Sequence, residues 1–330
     1  MNYKKCIVVV LLLSCSILAS SNFENSIKRA GLKALPTSTE AINKLIDPNK
    51  VLTPKRIALG KQLYFDTRLS KDQSISCASC HDLSQGGADG LSVSIGINAM
   101  KHPSHINTPT VYNAVLFERQ FWDGRSPNLE DQAKGPILAH FEMGMTEALT
   151  VERINSVPEY VTSFQEAYGK DVDINFDQIA IAIAAFERTL ITPSRFDDFL
   201  NGQKDALNEE EKEGLSIFID RGCINCHTGV AIGGSMQPFA IANEFKFKDV
   251  GDFKGDEFGL VKVPSLRNVT LNSPYFHNGT VVELKDAIKE MSRIQLSVTE
   301  IKDSDIDSLI KFFHALEGRK PDIKQPTLPK

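Results

Sequence analysis

An all-α fold of two domains related by internal duplication is predicted by three observations. Cys77-Ala78-Ser79-Cys80-His81 recurs as Cys223-Ile224-Asn225-Cys226-His227, 146 residues further on. A second, ungapped register spans about 23 positions of each half. In it Pro109-Thr110-Val111-Tyr112-Asn113 matches Pro264-Ser265-Leu266-Arg267-Asn268, Trp122 matches His277, and Leu129 and Asp131 match Leu284 and Asp286. Helical apolar periodicity is frequent along the chain, and strand alternation is rare.

The elements follow in order. Residues 1–21 read as a secretory signal: Lys4 and Lys5 open it, Cys6–Leu18 form an apolar core too short to span a membrane with ease, and Ala19-Ser20-Ser21 offer a cleavage site. An alternative ends the leader at Cys15 as a lipoprotein signal, with a shorter apolar core. A weak helical pattern covers Ile27–Leu35, and Pro36-Thr37-Ser38-Thr39 reads as a turn and helix start. Thr53-Pro54 opens a helix anchored by Ile57, Leu59 and Leu63 and running to Phe65. The first motif follows a connector, then come the Gly86–Gly90 loop and a polar loop, Asn98–Pro109. Apolar-periodic helices close each half at Ile179–Leu190 and Ile306–Leu316. The joint falls at Thr192-Pro193, where a helix must stop, giving domains 22–192 and 193–330.

The repeated motif is the attachment signature of c-type haem. Two thiols three positions apart each form a thioether to a haem vinyl group, and the adjacent histidine reaches the iron. About 0.002 chance matches are expected in a chain of this composition. A zinc site would need four ligands in close array, and a disulfide needs no histidine after each pair. Each domain is therefore expected to be cytochrome c-like and to hold one covalent haem c, through Cys77, Cys80 and His81 or through Cys223, Cys226 and His227. The remaining cysteines of the six, Cys6 and Cys15, lie in the leader, so the mature chain has no thiol left for a disulfide or a nucleophile. Export to the periplasm suits covalent haem attachment. With 42% hydrophobic and 24% charged residues the composition is that of a soluble globular protein. Loss of Lys4 and Lys5 with the leader takes the net charge from −5 to −7, which argues against nucleic acid and for a basic protein partner.

Further segments make the chain similar to the bacterial dihaem cytochrome c peroxidase family over nearly all of its mature length. They are Phe65-Asp66-x-Arg68-Leu69-Ser70, Asn107-x-Pro109-Thr110-Val111, Phe121-Trp122-Asp123-Gly124-Arg125, Gln132-Ala133-x-Gly135-Pro136 and Glu142-Met143-Gly144. The second half adds Phe186-Glu187-Arg188-Thr189-Leu190, Pro264-x-Leu266-Arg267-Asn268 and Pro274-Tyr275-Phe276-His277. The resemblance implies reduction of hydrogen peroxide to water with electrons from a small redox protein, a monohaem cytochrome c or a cupredoxin, by a homodimer. It implies that the His81 haem is peroxidatic and that the His227 haem receives electrons, with Met291 as its second axial ligand. A thioether favours ferrous iron and raises the potential. Taken alone, Met291 reads as a core residue in register with Leu284 and Ile288.

By the same resemblance Glu142 is the distal carboxylate that moves a proton between the peroxide oxygens. Gln132 is an orienting amide beside it, and Trp122, the sole tryptophan, lies between the haems. As isolated residues Glu142 and Gln132 would read as surface polar groups and Trp122 as a core aromatic. Asn107, with the carbonyls of Asn272 and Pro274, matches a calcium site, where oxygen ligands suit a hard cation. One position departs from the family pattern. Ile97 follows Ser94-Ile95-Gly96, where many members carry a histidine that caps the peroxidatic iron. His102 and His105 stand in the same loop as substitutes, not separable from sequence, and a displaceable histidine cap is expected. Two other readings remain. A methylamine-utilisation-type oxidase of a protein side chain would use tyrosine on the second haem, with Tyr275 near in sequence. A non-catalytic dihaem electron carrier would not need Glu142.

Overall fold

Two helical clusters, each crossed by a glycine contact, set the architecture. The computed structural model describes residues 23–49, 51–239, 244–296 and 300–330, so the expected leader with Cys6 and Cys15 lies outside the described residues. The first cluster joins Pro54–Phe65, Leu129–Leu138, Glu147–Asn155, Pro158–Tyr168 and Phe176–Glu187 around Leu59, Leu63, Ile154, Phe164 and Ile179. The second joins Arg195–Leu200, Glu209–Asp220, Leu284–Gln295 and Asp303–Ala315 around Phe196, Leu215, Phe218, Ile306 and Phe312. Among the described residues strand structure is slight: Met236–Pro238 pairs antiparallel with Leu260–Lys262, Gln237 opposite Val261. None of the helices described is long and apolar enough to cross a membrane.

Local chemistry explains most helix starts. Thr53 accepts from the Arg56 N–H and Pro54 occupies the first turn, so the helix runs Pro54–Phe65 as expected. Ser38 likewise caps Thr39–Ile46. The closing helices begin one turn before the apolar periodicity, at Phe176 and Asp303. Asn175 caps the first, and the second opens with Asp303 and Asp305 facing its N-terminal dipole. The Phe65–Ser70 segment is held by a buried carboxylate: Asp66 is 2.8 Å from Arg68 and accepts from the Tyr160 hydroxyl at 2.6 Å.

The clusters are not strictly consecutive in sequence. Ile27, Ala30 and Leu32 pack into the second cluster, and the Leu35 N–H donates to Asp197 (2.7 Å). The C-terminal tail runs back across the first half. Ile323 packs beside Tyr64 and Leu83, and the Pro329 carbonyl accepts from Arg68 at 2.7 Å. Between the clusters, the side-chain amides of Asn113 and Asn268 both donate to Thr192 Oγ1, at 2.8 and 2.9 Å. Both asparagines hold φ +61°, a left-handed conformation that asparagine tolerates better than most residues.

A methyl group at Gly60 would lie 1.9 Å from the Ala182 carbonyl oxygen, and one at Gly214 would lie 2.0 Å from that of Ser308. Neither backbone can retreat without parting two packed helices. Gly60→Ala and Gly214→Ala should each lower the unfolding free energy by about 3 kcal/mol, measured by denaturant titration. An unchanged midpoint would show that the helices are not in this contact.

Candidate functional site

The first motif forms a single helical turn, Cys77–Cys80, begun where the Ser76 N–H donates to Ser79 Oγ (3.0 Å). The His81 carbonyl accepts from the Tyr64 hydroxyl at 2.7 Å, and His81 Nδ1 lies 3.3 Å from the Gly87 carbonyl. That carbonyl places the ring proton on Nδ1 and leaves the Nε2 lone pair free for a metal. Burial lowers the His81 pKa, so the ring is neutral. His81, Cys77 and Cys80 line one cavity of about 240 Å³.

The second motif follows the left-handed Gly222 (φ +83°) and lines a second cavity of about 270 Å³. Burial pushes His227 down to about 4, while the carbonyls of Ile232 and Pro264 favour its protonated ring. Its Nδ1 is buried with no hydrogen-bond partner at bonding geometry. Burial also raises all four motif thiols, Cys80 to about 12 and Cys223 to about 11. A neutral buried imidazole beside two un-ionised thiols, in a largely apolar cavity, fits a covalently attached haem in each case. Met291 lines the second cavity from the helix Leu284–Gln295, and Tyr275 lines it too.

One wall is common to both cavities. Trp122, 8% exposed, borders each of them and donates Nε1–H to the Asn107 carbonyl at 3.0 Å. The Asn107 N–H donates in turn to the His277 carbonyl (2.8 Å). Asn107, Asn272 and Pro274 all border the second cavity. The Asn107 side-chain amide donates to the Leu91 carbonyl, and that of Asn272 to the Gly86 carbonyl.

Glu142 and Gln132 line the first cavity with His81. Gln132 comes from the helix Leu129–Leu138, and Glu142 from the turn after it. The Glu142 carbonyl accepts from the Ile97 N–H at 2.8 Å. A Cβ at Gly96 would lie 2.1 Å from the Phe141 carbonyl oxygen, so only glycine lets this loop approach the Glu142 turn. Burial raises the Glu142 pKa, with Arg125 opposing. The Ile97 side chain is buried against Gly144 and does not line the cavity.

The structure separates the two loop histidines. His102 lines the first cavity with Nε2 4.0 Å from Glu142 Oε1, whereas His105 is not in its lining. The loop doubles back as a hairpin in which the His102 N–H donates to the Ser94 carbonyl (3.0 Å), and this aims residue 102 inward. Arg125, Lys262 and Glu187 also border this cavity, although the sequence alone does not mark them as site residues. Arg125 and Glu187 stand within the family-like segments, which was the available signal.

Glu187 lies on the helix Phe176–Glu187, with Oε2 buried and unpartnered. Burial raises its pKa from 4.5 to about 7; Glu130 adds to the shift and Arg188 opposes it. The folded state thus holds this proton more tightly than the unfolded chain, and stability from this group is lost as pH rises from 4.5 to about 7. Glu187→Gln should match wild type near pH 4 and become the more stable protein by about 3 kcal/mol above pH 7. Chemical unfolding across this range tests it, and a pH-independent difference would mean that Glu187 is ionised throughout.

A family model described as di-haem cytochrome c peroxidase matches residues 54–205. The chain is 42% identical to the cytochrome c551 peroxidase of Nitrosomonas europaea, over 88% of this chain and 89% of that one. It is also 42% identical to the cytochrome c551 peroxidase of Pseudomonas aeruginosa, over 82% of this chain and 81% of that one. A solved MauG-like protein associated with microbial copper homeostasis shares the fold, with a TM-score of 0.70 and 24% identity over 81% of this chain and 90% of that one. Identity at this level across both helical clusters and both haem motifs leads to one conclusion: the chain belongs to the di-haem cytochrome c peroxidase family.

Proposed function

We propose that this protein is a periplasmic dihaem peroxidase that reduces hydrogen peroxide to water. The observation that carries this reading is Glu142, a carboxylate with a raised pKa in the same cavity as the neutral imidazole of His81. Haem iron, when bound through His81, supplies the site for peroxide and the electrons for its reduction. Glu142 takes the proton from the nearer peroxide oxygen and delivers it to the farther one, which leaves as water. Its raised pKa brings the two protonation states closer in energy at neutral pH. Gln132 orients the peroxide, and the Arg125 charge opposes the rise in the Glu142 pKa that burial causes.

His227 and Met291 hold the electron-entry haem, and Trp122 occupies the wall between the sites. The electron donor is a monohaem cytochrome c or cupredoxin, and its docking on a homodimer belongs to the same reading. Asn107 with the carbonyls of Asn272 and Pro274 takes calcium. The domains 22–192 and 193–330 arose by duplication with one haem in each. Paired details support this: the glycine contacts at Gly60 and Gly214, φ +61° at Asn113 and Asn268, and positive φ at Phe121 and Phe276. Ile27, Ala30 and Leu32, ahead of the first motif, pack with the second cluster. Oxidation of a protein side chain is the second reading, favoured by Tyr275 in the second cavity.

Glu142→Gln should retain both haem spectra and slow peroxide turnover about 100-fold; unchanged turnover at saturating donor would overturn the assignment. Intact mass should exceed that of the processed chain by two haems. Met291→His should lower the potential of the His227 haem and stop donor-driven turnover. An unmoved potential would favour Tyr275 as ligand and the second reading.

The geometry of His102 alters the expectation of a histidine cap. Its Nδ1 accepts the Ser104 N–H at 3.2 Å, so the ring proton sits on Nε2, facing Glu142 rather than leaving a lone pair for iron. The oxidised enzyme should therefore show a high-spin His81 haem by electron paramagnetic resonance and accept peroxide without prior reduction. A low-spin signal that becomes high-spin in His102→Ala would restore the cap.

A further inference from the structure

Lys262 is a charged group that the peroxidase chemistry leaves unused. It ends the strand Leu260–Lys262 with its N–H donated to the Trp122 carbonyl at 2.8 Å, and only 4% of the residue reaches solvent. It borders both cavities, and of the described residues that do so it alone carries a formal charge. Its ammonium lies 4.8 Å from the centroid of the Phe117 ring. Among the described residues no carboxylate forms an ion pair with it. Burial pulls the ammonium down to about 8; Asp123 acts against the shift and Arg125 with it. Holding a cation out of water without a partner is costly, whereas pairing it with a carboxylate recovers much of that cost.

Each haem that fits these cavities carries two propionate carboxylates. We propose that the Lys262 ammonium is the anchor for haem propionate in the wall between the two cavities, pairing with a carboxylate from one haem or from both. The strand fixes the backbone of the lysine to Trp122, so the anchor would hold a haem edge in register with the aromatic wall. The buried positive charge would also stabilise added electrons on the paired haem and raise its potential. Nothing in this requires peroxide chemistry; it rests on haem attachment at the two motifs alone.

The test uses the holoprotein with Lys262→Met, which keeps the apolar stem, and Lys262→Arg, which keeps the charge. Spectroelectrochemical titration resolves the two haems, and resonance Raman reads the propionate bending bands. Lys262→Met should lower the midpoint of the paired haem and shift its propionate band, whereas Lys262→Arg should keep the midpoint near that of wild type. The wave that moves identifies the propionate source, and movement of both identifies a shared anchor. Unmoved midpoints and bands in Lys262→Met would overturn the proposal. If that variant fails to retain haem, the propionate band of Lys262→Arg decides: a shifted band supports the contact and an unmoved one overturns it. A wild type carrying two haems but lacking peroxide turnover would sink the peroxidase reading and leave this test intact.

Discussion

The ion pair between Arg267 and Asp197 is the constraint on which the second half depends. Both side chains are withdrawn from solvent, 0% and 1% exposed, and the guanidinium meets the carboxylate through two bonds of 2.8 and 2.7 Å. Burial alone would raise the Asp197 pKa, yet the bonds from Arg267 and the N–H groups of Leu35 and Ser194 hold it below the ordinary value. Arg267 also donates Nε–H to the Val230 carbonyl at 2.7 Å. One charged pair thus ties together the N-terminal segment, the helix Arg195–Leu200, the stretch after His227 and the segment from Pro264. Such a pair adds little net stability relative to an apolar replacement, but a single broken partner leaves an uncompensated charge inside. These bonds join the four segments at one buried point.

The junction between the halves is similarly over-determined. Thr192 collects side-chain amides from both sequence halves, and its N–H returns a bond to Asn113 Oδ1 at 3.0 Å. Close by, Trp122, Asn107, His277 and Lys262 are joined through backbone groups. The wall that separates the cavities is therefore held by the backbone bonds of Asn107 and Lys262 together with the indole N–H of Trp122.

The same scaffold produces two cavities of different character. The first carries Glu142, Gln132, His102 and Arg125, which suits proton movement. The second is bordered by Met291, Phe239, Phe276 and Phe313, which suits stabilisation of a reduced metal. Means of support differ with the role. Met291 sits on a helix, whereas Glu142 sits on a turn pinned by the Ile97 N–H and by the close approach of Gly96. Ile97 serves as a wedge under that turn, its side chain against Gly144.

The covalent and local features of this protein are legible in one dimension. Two thiols and a histidine must be adjacent to attach a haem, so Cys77–His81 and Cys223–His227 identify themselves. The helix Pro54–Phe65 is likewise written into its own cap and proline. The starts at Phe176 and Asp303 were less legible because the first turn of a helix carries caps and acids, not apolar period. Tertiary packing decided the rest. His102 and His105 are alike in sequence, and only the hairpin turned one of them toward Glu142. Residues 27–32 advertise an apolar face but not which cluster covers it. Glu187 and Lys262 have ordinary-looking charges until residues remote in sequence close over them. Burial and electrostatic surroundings are properties of atoms brought together in space, and no local pattern encodes which distant segments will arrive.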